Sequence, residues 1–109
     1  MPYNEHTAER IRPLMKRRKG SSEKKMFGGV GFLLHGNMCV GVWKEFLILR
    51  LGTDAYEAAL EQSFAREFDI TGRAMKGWVL VEPAGVEQDE PLTDWIERAV
   101  KFVKTLAKK

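Results

Sequence analysis

The chain has 109 residues, a formal net charge of +3 and a hydrophobic content of 44%, which together suit one globular domain over residues 1–109. Its single cysteine excludes an internal disulfide framework, and no stretch approaches the roughly 18 apolar residues of a membrane helix. Residues 1–20 lack the apolar core of a signal peptide, so we expect a cytoplasmic protein without membrane contact.

The charges are distributed unevenly along the chain. Residues 9–25 contain eight basic and two acidic side chains, whereas residues 45–90 contain four basic and ten acidic ones. The first segment is a candidate basic arm for weak, nonspecific contact with nucleic acid. Its candidate residues are Arg17, Arg18, Lys19, Lys24 and Lys25. The alternative is a solvated helix and loop, which the absence of interleaved aromatic residues for base stacking favours.

A first helix is predicted over residues 4–18. Asn4 is a suitable N-cap, and a modest apolar stripe recurs at helical spacing. Pro13 removes one backbone hydrogen bond, so we expect a kink or a helix in two pieces. Gly20 is a natural stop, and Ser21 and Ser22 then form a short link to the first strand.

A three-stranded antiparallel meander is predicted over residues 23–51, which hold most of the β signal. The predicted strands cover residues 27–34, 38–43 and 46–51. The connections at residues 35–37 and 44–45 are too short for parallel crossovers, so they must be tight turns. Gly28 and Gly29, inside the first predicted strand, suggest a bulge or a close backbone approach.

Both faces of the predicted meander are apolar. Strict alternation divides the third strand into two sets: Leu47, Leu49 and Leu51, and Phe46, Ile48 and Arg50. It divides the second strand into Met38, Val40 and Val42, and Cys39, Gly41 and Trp43. A sheet with one solvated face would alternate apolar with polar residues. We therefore expect a helix or a partner chain to cover the second face, and we interpret that face as an association surface for another protein or a second copy.

The remainder of the chain is predicted to add two helices and two strands. A short helix begins at Thr53 or Asp54, and a brief strand covers residues 68–70. After a turn at residues 71–73, a strand at residues 77–81 places Trp78 and Leu80 on one face. Pro91 fits the first position of the last helix, whose apolar residues repeat at helical spacing. The order α-β-β-β-α-β-β-α predicts an α+β fold with helices against an antiparallel sheet.

The sequence offers no recognisable catalytic or metal-binding constellation. The glycines of residues 28–31 precede a strand, whereas a phosphate loop needs a helix N-terminus. Cys39 lies among apolar neighbours, which is typical of a buried thiol. His6 and His35 have no partners at metal-ligand spacing. We therefore expect no enzyme activity, no metal and no cofactor.

A family resemblance extends over nearly the whole chain, and the helix at residues 95–104 suits it. Four segments carry it: EKKMFGGVGFLLHGNMCVGVW, LILRLG, DAYEAALE and FDITGRAMKGWVLVEP. They resemble the N-terminal domain of the TfoX/Sxy family of bacterial competence regulators, and MFGG and GRAMKGWV are the more specific elements. The resemblance implies a two-layer fold with a five-stranded antiparallel sheet, in agreement with the predicted order. It also implies a role in transcriptional regulation of competence genes together with the cyclic-AMP receptor protein. The chain is expected to be a stand-alone version without the C-terminal domain of longer members.

Three functional hypotheses follow from these observations. The first is a non-enzymatic regulatory or protein-interaction domain, supported by the two-sided apolar sheet. The second is a nucleic-acid-associated protein that uses the basic arm and is retained on DNA or RNA in a salt-dependent manner. The third is a small enzyme that binds an anion or phosphate through Arg50, Arg73 and Lys76. Snorkelling of those three side chains at the core edge is the alternative to an anion site.

Overall fold

The computed structural model describes residues 4–26, 28–68 and 76–106. The helices in these ranges are α1 (Glu5–Lys16), α2 (Thr53–Leu60) and α3 (Asp89–Val103), with a 3₁₀ turn at Pro83–Val86. The strands are β1 (Ser21–Met26), β2 (Gly29–Leu34), β3 (Asn37–Trp43), β4 (Phe46–Arg50), β5 (Ala65–Glu67) and β6 (Trp78–Val81). None of the described helices has the length and apolar character needed to cross a membrane.

The six described strands form one sheet in the order β1-β2-β3-β4-β6-β5, and every neighbouring pair is antiparallel. This confirms the predicted α+β class. The predicted count of five strands was wrong, because Ser21 and Ser22 belong to β1 and not to a link. The sequence of β1, SSEKKM, has too few apolar residues to give an alternation signal. As an edge strand, β1 carries charges that discourage pairing with another chain.

The two glycines at the start of the meander belong to a hairpin and not to the predicted bulge. β1 ends at Met26, which is opposite Gly29 in β2. Gly28 between the two strands has a φ of +76°, a backbone angle that glycine adopts without steric cost. The predicted tight turn at Lys44 and Glu45 is confirmed, and Lys44 adopts a φ of +53° there.

A bulge in β3 changes which of its side chains face the helices. Phe32 in β2 is opposite Val40, but the next residue, Leu33, is opposite Met38. Cys39 is therefore the extra residue. Cys39 and Val40 are both fully buried in the main core, whereas Met38 packs on the other side of the sheet. The predicted sets for this strand were therefore wrong at Met38 and Cys39, because strict alternation fails at a bulge.

All three described helices pack on one face of the sheet. Their buried residues join the inward-facing residues of β2, β3, β4 and β6 in one hydrophobic core. The buried residues of α3 confirm its predicted apolar stripe: Leu92, Trp95, Ile96, Ala99, Val100 and Val103. Burying one large aliphatic side chain contributes about 1.5–3 kcal/mol, so α3 supplies much of the stabilisation of this layer.

The helix boundaries agree closely with the predictions. Asn4 caps α1 as predicted, because its Oδ1 accepts a hydrogen bond from the backbone N–H of Thr7 at 3.2 Å. α1 then continues through Pro13 as one helix. Pro91 is the third residue of α3 and not its first. Proline is tolerated there because the N–H groups of the first turn have no partner within the helix.

The segment after α2 differs from its prediction. The strand described in this segment is β5, which covers Ala65–Glu67 and pairs with β6, whereas the prediction placed a strand at residues 68–70. Phe68 follows β5 and is buried against the sheet. The rest of the predicted strand and the turn at residues 71–73 lie outside the described residues.

Candidate interaction surface

The sheet face turned away from the helices carries a second, smaller apolar cluster, and we call this side the outer face. Ile48, Phe68 and Leu80 form its buried centre, and four partly buried side chains surround them: Met38, Trp43, Phe46 and Trp78. No described helix contributes a residue to the cluster. The two predicted faces of the third strand are confirmed, since Leu47 and Leu49 lie in the main core.

The centre of the outer face is closed, and its surroundings are accessible. Ile48 is 0% exposed and Leu80 is 5% exposed. Ile48 therefore belongs to the predicted surface by position, but its own side chain is packed against its neighbours. The partly buried rings of Trp43, Phe46 and Trp78 are the parts of the cluster that a partner can contact.

The aromatic side chains of the outer face pack in two pairs. Trp43 and Phe46 are opposite each other on β3 and β4, and their rings stack with centroids 6.1 Å apart at 23°. Phe68 and Trp78 meet edge to face with centroids 5.7 Å apart at 77°. Such pairs contribute about 0.5–1.5 kcal/mol beyond the area that they bury. The rings are therefore held in a fixed arrangement before any partner binds.

Three cations lie over these rings. The Nζ of Lys44 is 4.7 Å from the centroid of Trp43, and the Cζ of Arg50 is 5.2 Å from that of Trp78. The Cζ of Arg66 is 5.8 Å from the centroid of Phe46. All three distances lie within the range of cation–π attraction. The outer face is thus a set of aromatic rings with three cations above them, of which Arg66 is paired with Glu82 at 2.6 Å.

The three residues of the predicted anion site are not assembled by the described residues. Arg50 is partly buried and opposite Trp78 in the sheet, so its guanidinium stacks on an apolar ring as snorkelling predicts. Lys76 is exposed two residues before Trp78. Arg73 lies outside the described residues. Arg50 at the end of β4 and Lys76 in the turn before β6 therefore lie near the same end of the sheet.

The predicted basic arm is divided by the fold. Arg17 and Arg18 are at the end of α1, and both approach Glu97 of α3. Lys19 is exposed in the loop before β1. Lys24 and Lys25 are exposed on β1 but point to opposite faces of the sheet, because adjacent strand residues alternate. The five residues therefore do not form one continuous arm.

Cys39 is a buried thiol among apolar neighbours, as predicted. The thiol is fully buried, and burial raises its pKa to about 12. A thiolate is the reactive form, so this residue is a poor nucleophile near neutral pH. Within the described ranges, no group of three histidine, cysteine or acidic side chains could hold a metal ion.

A second surface feature lies on the helical layer, between α2 and α3. It is a cleft of about 420 Å³, and we call it the α2–α3 cleft. Leu51, Ala59 and Phe102 contribute apolar surface to it, and Arg98 and Lys101 contribute the basic side chains. Gly52 lies directly beneath Phe102, since a Cβ added to Gly52 would be 2.4 Å from the ring carbon Cε1. Sequence reasoning missed this cleft, because its two walls are distant in the chain.

The cation stacking on the outer face was also missed. Arg66 belongs to a polar segment that gave no strand signal, although its spacing of two residues from Phe68 is typical of side chains that share a sheet face. The position of Trp43 opposite Phe46 follows from the two-residue turn between β3 and β4. These contacts depend on the sheet register, which local sequence patterns do not determine.

Comparison with known proteins gives one family match. The profile of the TfoX N-terminal domain matches residues 14–103, from the second half of α1 to the end of α3. Searches of curated proteins and of solved structures gave no significant match. The match includes every strand described above and the α2–α3 cleft up to Phe102. The chain therefore belongs to the TfoX N-terminal domain family.

Proposed function

We propose that this chain is a regulatory domain that acts by binding a partner through its outer face and not by catalysis. The main support for the proposal is that the rings of Trp43, Phe46 and Trp78 are only partly buried and have cations above them. Tryptophan, tyrosine and arginine are enriched among residues that dominate binding energy. Aromatic residues and arginine are also enriched at interface centres.

Family membership supports the regulatory part of the proposal. The TfoX N-terminal domain match points to a competence-related regulatory domain. We extend this to transcriptional regulation of competence genes, which the resemblance of the four sequence segments implies. In this proposal the domain changes transcription by contacting another protein of the regulatory machinery.

The charge of the outer face supports a protein partner over a second copy. In a two-fold symmetric dimer, the same surface patch lies on both sides of the interface. Two patches that both carry Lys44 and Arg50 would then face each other, and like charges oppose association. A partner that presents carboxylates around an apolar contact is complementary to this face. Self-association is the alternative, and light scattering at high protein concentration distinguishes the two.

The proposal is tested by complementing a strain that lacks the gene. Trp43→Ala removes an accessible ring of the outer face, and Lys16→Ala is the matched control at an exposed position of α1. We expect Trp43→Ala to lose the regulated transcript changes while the protein still folds and accumulates, and Lys16→Ala to retain them. Full regulation by a folded Trp43→Ala protein would contradict the proposal.

A further inference from the structure

The α2–α3 cleft continues into a longer groove along the helical layer. Gln62 and Arg98 line the cleft and also line a second cleft that reaches Phe64 and Pro91. Phe64 is 42% exposed and is the only exposed large hydrophobic residue in the described part of the chain. From Pro91 to Thr105, a helical rise of about 1.5 Å per residue gives a groove roughly 20 Å long. This length exceeds that of a small molecule and suits three to four helical turns.

The two walls of the groove differ in character. One wall presents Ala55 and Ala58 of α2, whose small side chains leave space for a backbone to approach closely, and Gln62 just after that helix. The wall from α3 presents Arg98 and Lys101 in the α2–α3 cleft, and Asp94, the ion-pair partner of Arg98, in the second cleft. The acidic residues of α2 do not line the cleft, and Lys101 forms no ion pair with any described carboxylate. The side from α2 is therefore neutral, and the side from α3 is basic where it lines the α2–α3 cleft.

Arg98 and Lys101, the cations of the α3 wall, can both contact a ligand that lies in the groove. Arg98 pairs with Asp94 at 3.0 Å in an exposed contact, and exposed pairs of this kind contribute little. Its Cζ also lies 5.0 Å from the centroid of Trp95, which holds the guanidinium beside the groove. Lys101 is one turn further along the same wall. An acidic ligand can therefore recruit both cations without breaking a strong contact.

We propose that this groove binds an amphipathic helix of a protein partner whose apolar side faces the alanines and whose carboxylates face Arg98 and Lys101. Amphipathic helices bind apolar grooves through residues at positions i, i+3 or i+4, and i+7. Leu51 and Phe102 supply the apolar floor for these anchors. The inference deepens the proposed function, and it rests on that function only in taking the domain to act by binding proteins. The groove and the outer face lie on opposite layers, so one domain can contact two partners at once.

The test is a selection from a random library of 16-residue peptides displayed on phage, carried out on the intact chain. Ala58→Arg fills the groove at an exposed helical position, and arginine retains good helix propensity. Glu57→Arg introduces the same side chain at the adjacent exposed position, which does not line the groove, and is the matched control. Circular dichroism verifies that each variant folds.

The expected result is enrichment of peptides that encode amphipathic helices with Asp or Glu on one flank. In fluorescence anisotropy, Ala58→Arg should weaken binding of a selected peptide by about tenfold or more, as loss of a central contact does. Lys101→Glu should weaken it about fivefold through charge reversal, and Glu57→Arg should leave it unchanged. Replacing the acidic residues of the peptide by Gln should weaken its binding in the same way.

Three outcomes would overturn the inference. The first is enrichment of no peptide, or of peptides without an acidic amphipathic pattern. The second is equal binding to wild type and Ala58→Arg. The third is a dimer of the chain that Ala58→Arg dissociates, because a second copy would then be the occupant. None of these outcomes affects the complementation test with Trp43→Ala. The proposal for the groove and the proposal for the outer face can therefore be rejected independently.

Discussion

Substitution of Gly52 by alanine tests the close packing of Gly52 against the ring of Phe102, which forms part of the α2–α3 cleft. Gly52 precedes α2 with a φ of +85° and a ψ of 159°, a region of backbone space that only glycine adopts readily. An added Cβ would also lie 2.4 Å and 2.5 Å from two ring carbons of Phe102. The substitution therefore combines backbone strain with a steric clash.

The free-energy costs of the backbone strain and of the steric clash can be estimated separately. Backbone strain in this region costs about 1–3 kcal/mol, and overpacking of a side chain costs about 1–3 kcal/mol. Gly52→Ala should thus destabilise the chain by about 4 kcal/mol. With a urea dependence near 1.5 kcal/mol per molar, the unfolding midpoint should fall by roughly 2–3 M. Tryptophan fluorescence in a urea titration measures this shift.

Two controls separate the cost of backbone strain from the cost of the clash with Phe102. Gly28 also has a positive φ, +76°, but an added Cβ there has nothing within 4 Å, so Gly28→Ala should cost only the strain, about 1–2 kcal/mol. In a double-mutant cycle, Phe102→Ala should recover about 1–3 kcal/mol of the Gly52→Ala effect relative to additivity. If Gly52→Ala costs no more than Gly28→Ala and the coupling energy is near zero, the close contact does not exist and the cleft floor is not fixed as described.

Three further predictions concern a salt bridge, a thiol and the outer face. Arg12 donates two hydrogen bonds to Glu23, at 2.8 Å and 2.9 Å, and this lowers the pKa of Glu23. The stabilisation is present above the unfolded-state pKa and is lost as pH falls through the lower folded-state value. Glu23→Gln should therefore cost about 0.5 kcal/mol at pH 7 in urea unfolding, and the difference should disappear as the pH falls below the folded-state pKa of Glu23; a difference that does not change with pH would contradict the assignment. Cys39 should react with a thiol reagent only after unfolding, and Cys39→Ala should cost about 1 kcal/mol without loss of regulation. Ile48→Glu should unfold the chain and not merely separate copies, because it buries a charge at a fully enclosed position; a folded Ile48→Glu protein in circular dichroism would show that the centre of the outer face is open.

The fold could be predicted where local periodicity is strong. The apolar stripe of α3 and the alternation in β4 placed their residues on the correct faces, because both elements are regular. The sequence of β1 gave no such signal, since an edge strand needs polar residues. The extra residue at Cys39 could not be located from local pattern, because a bulge is defined by the register against the neighbouring strand.

The candidate sites were only partly predictable for the same reason. Phe46 and Arg50 were assigned to one face by alternation, and the structure places both there. The stacking of Arg66 on Phe46 joins strands that are distant in the sequence. The α2–α3 cleft likewise depends on how two helices pack over the sheet, which side-chain periodicity alone does not determine.

The most direct test of partner binding through the outer face is photocrosslinking from that face in the native cell. A photoreactive phenylalanine analogue at Phe46 lies among the accessible rings, and the same analogue at Lys16 is the control on the other layer. Mass spectrometry identifies the crosslinked species. If a partner binds the outer face, position 46 gives a defined protein product that is absent from position 16 and is lost when Trp43→Ala is added. The same products from both positions, or no product from a position-46 protein that still regulates transcription, would contradict binding through the outer face.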